Sequence, residues 1–258
     1  MAIVERPEPA KRESAERPIR IFLNEVPVAV SQGSPFGLSE LAVGYLLSEG
    51  LIADRERFVE VTADPEAAAV YVASGERAAE GYVPLHRVTS AGCARSALLA
   101  DGGGVPSPRR LETAARFDAD ALLAQMDELC ERSPRRNTGE CVHGCGLGDG
   151  RTGGLLLVRE DIGRHNCLDR LAGWACLNGI DPAETVLFVS ARITSSLYAK
   201  ARRAGFSFLI SRSAVTSTPV EMARQQNRLH PAHPVTVVGF CRPREERLTV
   251  FAGEGRIA

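Results

Sequence analysis

LLLVREDIGRHNCLDRLAGWACLNG (155–179) reads as a strand that runs directly into a helix. LLLVRE is a short apolar run ending in charge, and GRHNCLDRLAGWACLNG carries its apolar residues at helical spacing. The same order then recurs with different residues. VLFVS precedes SLYAKARRAG, SFLIS precedes TPVEMARQQNR, and VTVVGF and RLTVFA close the chain as two more strands. Apolar runs alternating with helices indicate crossovers over a largely parallel sheet, so residues 113–258 are expected to form an α/β domain.

A sheet of that kind gathers the carboxyl ends of its strands on one edge, beside helix N-termini, and ligands lodge there. Here the strand ends read Arg159-Glu160-Asp161, Ala191-Arg192, Arg212-Ser213 and Cys241-Arg242. Arginines, hydroxyls and an acidic pair on one edge suit an anionic, phosphate-bearing ligand. Strand ends are polar in any sheet, and that plainer reading stays open. REDIGRHNCLDR (159–170) is the densest constellation. Asp161 can cap the following helix. Arg164, His165 and Asn166 occupy its first turn, where backbone N–H groups favour anions. Asp169, four residues beyond His165, either orients that imidazole or makes a surface pair.

The front of the chain is organised differently. IRIFLNEVPVAV (19–30) reads as two strands around a turn at Asn24-Glu25. SELAVGYLLSEG (39–50) reads as a helix with a Ser cap and a closing Gly50, and FVEVT and AVYVA as further strands. Residues 18–88 are therefore expected to make a smaller α+β domain. The charged start MAIVERPEPAKRESAERP has no apolar core, which excludes a signal peptide or anchor, and a disordered tail is expected over 1–17. The stretch 89–112, rich in Gly, Ser and Pro, reads as a mobile loop. FDADALLAQMDELCERS (117–133) returns to a capped amphipathic helix, with Cys130 expected in the core.

Composition bounds the partners. Basic and acidic residues number 31 and 32, a net charge of −1, so no global field points to nucleic acid. No run reaches the roughly 18 apolar residues of a spanning helix, so a soluble, cytoplasmic chain with no membrane partner is expected. The basic residues are arginine apart from Lys11 and Lys200. Either coding bias or a need for planar anion forks accounts for that.

Seven scattered cysteines in a chain with no export signal argue for reduced thiols. Cys93 sits among Gly92, Ala94 and Ser96 with Arg95 beside it, and a nearby cation raises the thiolate fraction. It is the candidate nucleophile. In ECVHGCG (140–146), Cys141, His143 and Cys145 share a face if the stretch is a strand. A metal site, a pocket wall with a functional His143, and plain packing are all compatible with it, and no metal ligand is assigned.

Long segments resemble one family. REDIGRHNCLDRLAGW, VSARITSSLYAKARRAG and SRSAVTSTPVEMA are similar to signature stretches of the FdhD family, the formate dehydrogenase accessory sulfurtransferases. NEVPVAVSQGSPFGLSELAVGYLLSEGLI and TVVGFCRPREERLTVFAGEGRI extend the resemblance to about residues 19–256. It implies a cytidine-deaminase-like α/β domain without the deaminase zinc site, and a homodimer. It further implies sulfur taken as persulfide from a cysteine desulfurase and passed to the molybdenum cofactor, Mo-bis-molybdopterin guanine dinucleotide. That cofactor then enters formate dehydrogenase or a related molybdoenzyme.

The site residues follow by position. Cys93 falls on the first cysteine of the family's G-C-G-x-C-G loop, the persulfide carrier. Phe240, Cys241, Arg242, Pro243, Arg244 and Glu245 fall on a cofactor-lining segment, and His143 on the histidine of a T-G-G-x-H segment. The signature stretches add Glu160, Asp161, Arg164, His165, Asn166, Arg192, Lys200, Ser213, Thr216 and Ser217 to the cofactor site. Ser96 stands where the family has its second loop cysteine. Two functions follow: sulfur transfer through Cys93 alone, or a chaperone that holds the cofactor or its guanine nucleotide without moving sulfur.

Overall fold

The computed structural model describes residues 13–53, 57–75, 88–89, 116–149 and 153–258. Cys93, Ser96 and all of the expected mobile loop but Thr89 lie outside the described residues, as does the expected tail through residue 12. Strand β1 (Arg17–Leu23) turns into β2 (Val26–Gly33) through Asn24 and Glu25, both at positive φ, the backbone that suits a tight hairpin. Asn24 also anchors the turn, its side-chain oxygen accepting from the Ser74 amide at 2.8 Å. With β3 (Phe58–Asp64), β4 (Ala69–Ser74) and β5 (Val88–Thr89) the sheet order is β3-β4-β1-β2-β5. Ile19, Ile21, Leu23, Val28, Val70 and Val72 point to one face, where helix α1 (Leu38–Ser48) covers them. The helix begins one residue before Ser39. Gly37, in the left-handed conformation, occupies the cap position with no side-chain bond, so Ser39 is not the cap the sequence suggested.

The second sheet contains β6 (His143–Asp149), β7 (Leu155–Asp161), β8 (Thr185–Val189), β9 (Phe208–Ser211), β10 (Thr236–Arg242) and β11 (Arg247–Ala252), in the order β11-β10-β9-β8-β6-β7. The α/β reading holds. Helices α4 (Arg164–Leu177), α5 (Ser195–Arg203) and α6 (Ser217–Leu229) connect strands β7 to β10, which all run one way. Two strands oppose them: β11 at one edge, and β6, which inserts between β7 and β8. Sequence HGCGLGD concealed β6, because alternating glycines dilute any strand signal.

Alternation along β8 splits the core in two. Leu187 and Val189 face the α4–α5–α6 layer, while Val186 and Phe188 face α2 (Ala119–Glu131), capped by Asp118 as expected. The two sheets are joined through their helices, α1 lying along α4. A Cβ on Gly44 would sit 1.7 Å from the Asp169 carbonyl oxygen, and one on Gly173 would sit 1.9 Å from that of Glu40. Only glycine permits backbones to approach so closely, so these two positions set the crossing.

Candidate functional site

Strands β7 to β10 end on one edge of the second sheet, and β6 begins there with His143 opposite Asp161. Beyond β8, β9 and β10 opens a cleft of about 780 Å³. Its sheet side is made by Ser190, Arg212, Ser213, Arg242 and the 3₁₀ turn Pro243–Glu245. Its other wall comes from Asp127, Cys130 and Glu131 of α2 and from Arg136 and Asn137 of α3 (Pro134–Asn137). Arg136, Arg212, Arg242 and Arg244 thus share one solvent-open cavity. Planar guanidinium forks match the paired oxygens of phosphate or carboxylate. Arg242 pairs with Glu245 at 2.9 Å, but both side chains are exposed, so the pair costs little to open.

The backbone beneath the cleft is held by local contacts. Phe240 has a φ of 49°, which a bulky residue adopts only under constraint. Its amide donates to the Ser213 carbonyl at 2.8 Å, stitching β10 to the loop after β9, and the Arg242 guanidinium lies 5.4 Å from its ring centroid. Of the predicted residues, Ser213, Arg242, Pro243, Arg244 and Glu245 line the cleft, and Phe240 supports it. Cys241 does not reach it. Alternation turns that side chain into the core, where burial pushes the thiol up to about 12. Cys130 departs in the opposite sense: expected in the core, it is half-buried and lines the cleft, because the last turn of α2 runs out over the sheet edge.

The predicted residues around α4 divide by role. Asp161 is fully buried, and its carboxylate accepts from the amides of Ser34 (3.1 Å) and Gly163 (2.8 Å), from Asn166 Nδ2 (3.0 Å), and from Arg170 Nε and Nη2 (3.0 and 2.7 Å). It fixes the turn before α4 and the end of β2, and the α4 cap position itself is Gly163. Asn166 is equally committed, donating to the Gln32 carbonyl at 2.8 Å and accepting from Ser31 Oγ at 3.0 Å. Glu160 accepts from the backbone amides of Arg135 and Arg136 at the start of α3. Lys200 is buried between Glu49 (2.8 Å) and Asp169 (3.0 Å). Burial works against its charge, but the flanking carboxylates outweigh it and raise its pKa. These four hold the helices and sheets together, and their ligand capacity is already used. Asp169 neither orients His165 nor sits on the surface: it also accepts from Ser48 Oγ of α1 at 2.5 Å.

His165 and His143 remain at the edge itself. His165 Nε2 lies 3.1 Å from Ser196 Oγ, which lies 3.1 Å from Thr194 Oγ1 at the start of α5. Burial, then the charges of Lys200 and Arg164, push the His165 pKa down to about 3, so the ring is neutral. Burial and Arg164 also lower that of His143. Arg192 and Thr216 are exposed on the loops after β8 and β9, Ser217 is exposed as the first residue of α6, and the Thr216 amide is bonded to the Ile193 carbonyl at 3.1 Å. Cys141 is exposed ahead of β6, while Cys145 is buried beside Cys167, whose Sγ donates to the His143 carbonyl at 3.0 Å. Among the described residues no three His, Cys, Asp or Glu side chains gather as metal ligands.

Helix α2 was legible from its spacing and its Asp118 cap, but neither its place as a wall of the cleft nor the short turn α3 carries a signal in the sequence. Arg212 was visible only as a strand-end residue. Among the described residues no helix is long and apolar enough to cross a membrane.

Comparison with known proteins places these features in a family. The profile of the FdhD/NarQ family matches residues 14–258. Sulfur carrier protein FdhD of Chromobacterium violaceum is 32% identical over 248 residues, covering 90% of this chain and 85% of that protein. Sulfur carrier protein FdhD of Bacillus subtilis is 30% identical over 232 residues, with the same coverage of 90% and 85%. A crystal structure of a candidate formate dehydrogenase accessory protein from Desulfotalea psychrophila superposes with a TM-score of 0.75 at 24% identity, covering 96% of this chain and 92% of the other, which establishes the shared fold.

Proposed function

This chain belongs to the FdhD/NarQ family, and from that membership we propose that it is a sulfur carrier protein in formate dehydrogenase maturation. In this reading the Cys93 thiolate attacks the outer sulfur of a cysteine desulfurase persulfide. The donor S–S bond breaks, the desulfurase thiolate leaves, and Cys93 holds the sulfur with no net oxidation. The acceptor is the molybdenum cofactor, Mo-bis-molybdopterin guanine dinucleotide, as cargo, and formate dehydrogenase or a related molybdoenzyme receives it. The protein acts in the cytoplasm as a homodimer.

The observation that carries the proposal is the match along nearly the whole chain to relatives named sulfur carrier protein. The arginine-lined cleft supports the acceptor half, since it offers forks for the phosphates of a dinucleotide. The described thiols support the donor half by contrast. Cys145, Cys167, Cys176 and Cys241 are buried, which suits packing and not exchange with another enzyme.

The test is intact mass after incubation with a cysteine desulfurase and cysteine. The wild type and the Cys130→Ala and Cys141→Ala variants gain one sulfur, and Cys93→Ala does not. Equal gain by Cys93→Ala makes the carrier assignment wrong. No gain by the wild type, with GDP binding retained, favours the chaperone that holds cofactor without moving sulfur.

A further inference from the structure

Helix α3 has four residues, too few to stand by its own hydrogen bonds, so its place is set by what grips it. Both carboxylate oxygens of Glu160 are used on its backbone: Oε2 accepts from the Arg135 amide at 3.1 Å and Oε1 from the Arg136 amide at 3.0 Å. The Arg135 side chain is spent on Glu140 (2.8 and 2.7 Å) and on Ser34 Oγ (2.9 Å), and it lies over the Phe36 ring. Asn137 Nδ2 donates to the carbonyls of Cys130 and Glu131, at the end of α2. Every polar contact of the turn therefore fastens it, with one exception. The Arg136 side chain has no ion pair among the described residues, lines the cleft with Arg212 and Arg242, and carries a charge that His143 senses.

We infer that Arg136 recognises the anion in the strand-end cleft and that Glu160 is the positioning residue that holds Arg136 there. The inference rests on the cleft being the ligand site proposed above. It also explains why Glu160 sits at the functional edge without being a ligand. A carboxylate would repel an anion, and both its oxygens are engaged in aiming a guanidinium at one. The substitution Glu160→Gln would keep one acceptor oxygen and present an NH₂ group to the other amide, loosening the turn without removing Arg136.

The experiment is calorimetric titration with GDP at one fixed salt concentration, using the full chain. Arg136→Ala is expected to weaken GDP about tenfold, the loss of one charge-assisted contact. Glu160→Gln is expected to weaken it about threefold on its own, and to add nothing in the double variant with Arg136→Ala, as coupled sites behave. Combined with Arg212→Ala, the Glu160→Gln factor should multiply in full. A purely structural role for Glu160 would multiply equally in both backgrounds, and that result overturns the inference. So does unchanged GDP affinity in Arg136→Ala while Arg212→Ala loses binding, which leaves the cleft reading intact. If the wild type does not bind GDP, the cleft reading falls and this inference with it. Should Glu160→Gln fail to fold, Glu160→Asp, which keeps the charge but shortens the reach, takes its place with the same expectation.

Discussion

Replacing Asp161 by asparagine tests whether this residue is a ligand, as its place in the sequence suggests, or a clamp. Its buried carboxylate accepts five hydrogen bonds, two of them from Arg170, whose side chain is only 2% exposed. Arg170 in turn donates to the carbonyls of Ser34, Phe36 and Gly37, so the pair ties the end of β2 to α4. Asparagine keeps the shape but withdraws the charge and turns two donors toward other donors. Removing one partner of a buried ion pair typically costs about 3–5 kcal/mol, because the surviving charge is left desolvated. That is a large share of the roughly 5–15 kcal/mol by which a native protein is stable. Urea unfolding followed by circular dichroism should show the midpoint falling by about 1–2 M with the slope unchanged. Arg170→Met should cost a similar amount, and the double variant much less than the sum, since neither charge is then orphaned. A midpoint loss below about 0.3 M, with GDP binding abolished instead, would refute the clamp and restore Asp161 as a ligand.

The histidine at the head of α4 gives the protein a pH response. His165 is neutral in the folded chain down to about 3, against 6.5 unperturbed, so unfolding takes up a proton between those values. Its contribution is complete above pH 6.5 and lost as pH falls toward 3, a swing of roughly 3–5 kcal/mol at full amplitude. His165→Gln should flatten the dependence of the urea midpoint over that window, without abolishing it, because the lowered pKa of His143 acts with the same sign. An undiminished slope in the variant would show that His165 titrates normally. At the helix crossing, Gly44→Ala puts a methyl group 1.7 Å from the Asp169 carbonyl oxygen, so α1 and α4 must part. Overpacking of this kind costs about 3 kcal/mol, which for a chain this long lowers the melting temperature by roughly 6–12 °C. The modest stabilisation usual for glycine to alanine in an open helix would rule out the close crossing.

The order of strands and helices from Leu155 to Ala252 was legible because it rests on local periodicity, the apolar run of a strand and the spacing of a helix. The Asn24-Glu25 hairpin was legible for the same reason, its turn chemistry lying within two residues. Strand β6 was not, since three glycines erase its alternation and only pairing with β7 and β8 identifies it. The site divided along the same line. Arg212, Ser213 and Arg242 could be placed on a ligand-bearing edge from the strand ends alone, Pro243, Arg244 and Glu245 only through the family resemblance, and the cleft contains all six. Asp161, Glu160, Asn166 and Lys200 stood out equally as polar residues near strand and helix ends, yet each is spent on distant partners. Ser34, the α3 backbone, Ser31 and Glu49 are 24 to 151 residues away in the chain. The sequence by itself therefore determined which strand-end residues reach the functional edge. Tertiary structure decided which of them remain open to a ligand, because a buried polar group takes whatever partner packing brings to it, and its own neighbours in sequence do not reveal that partner.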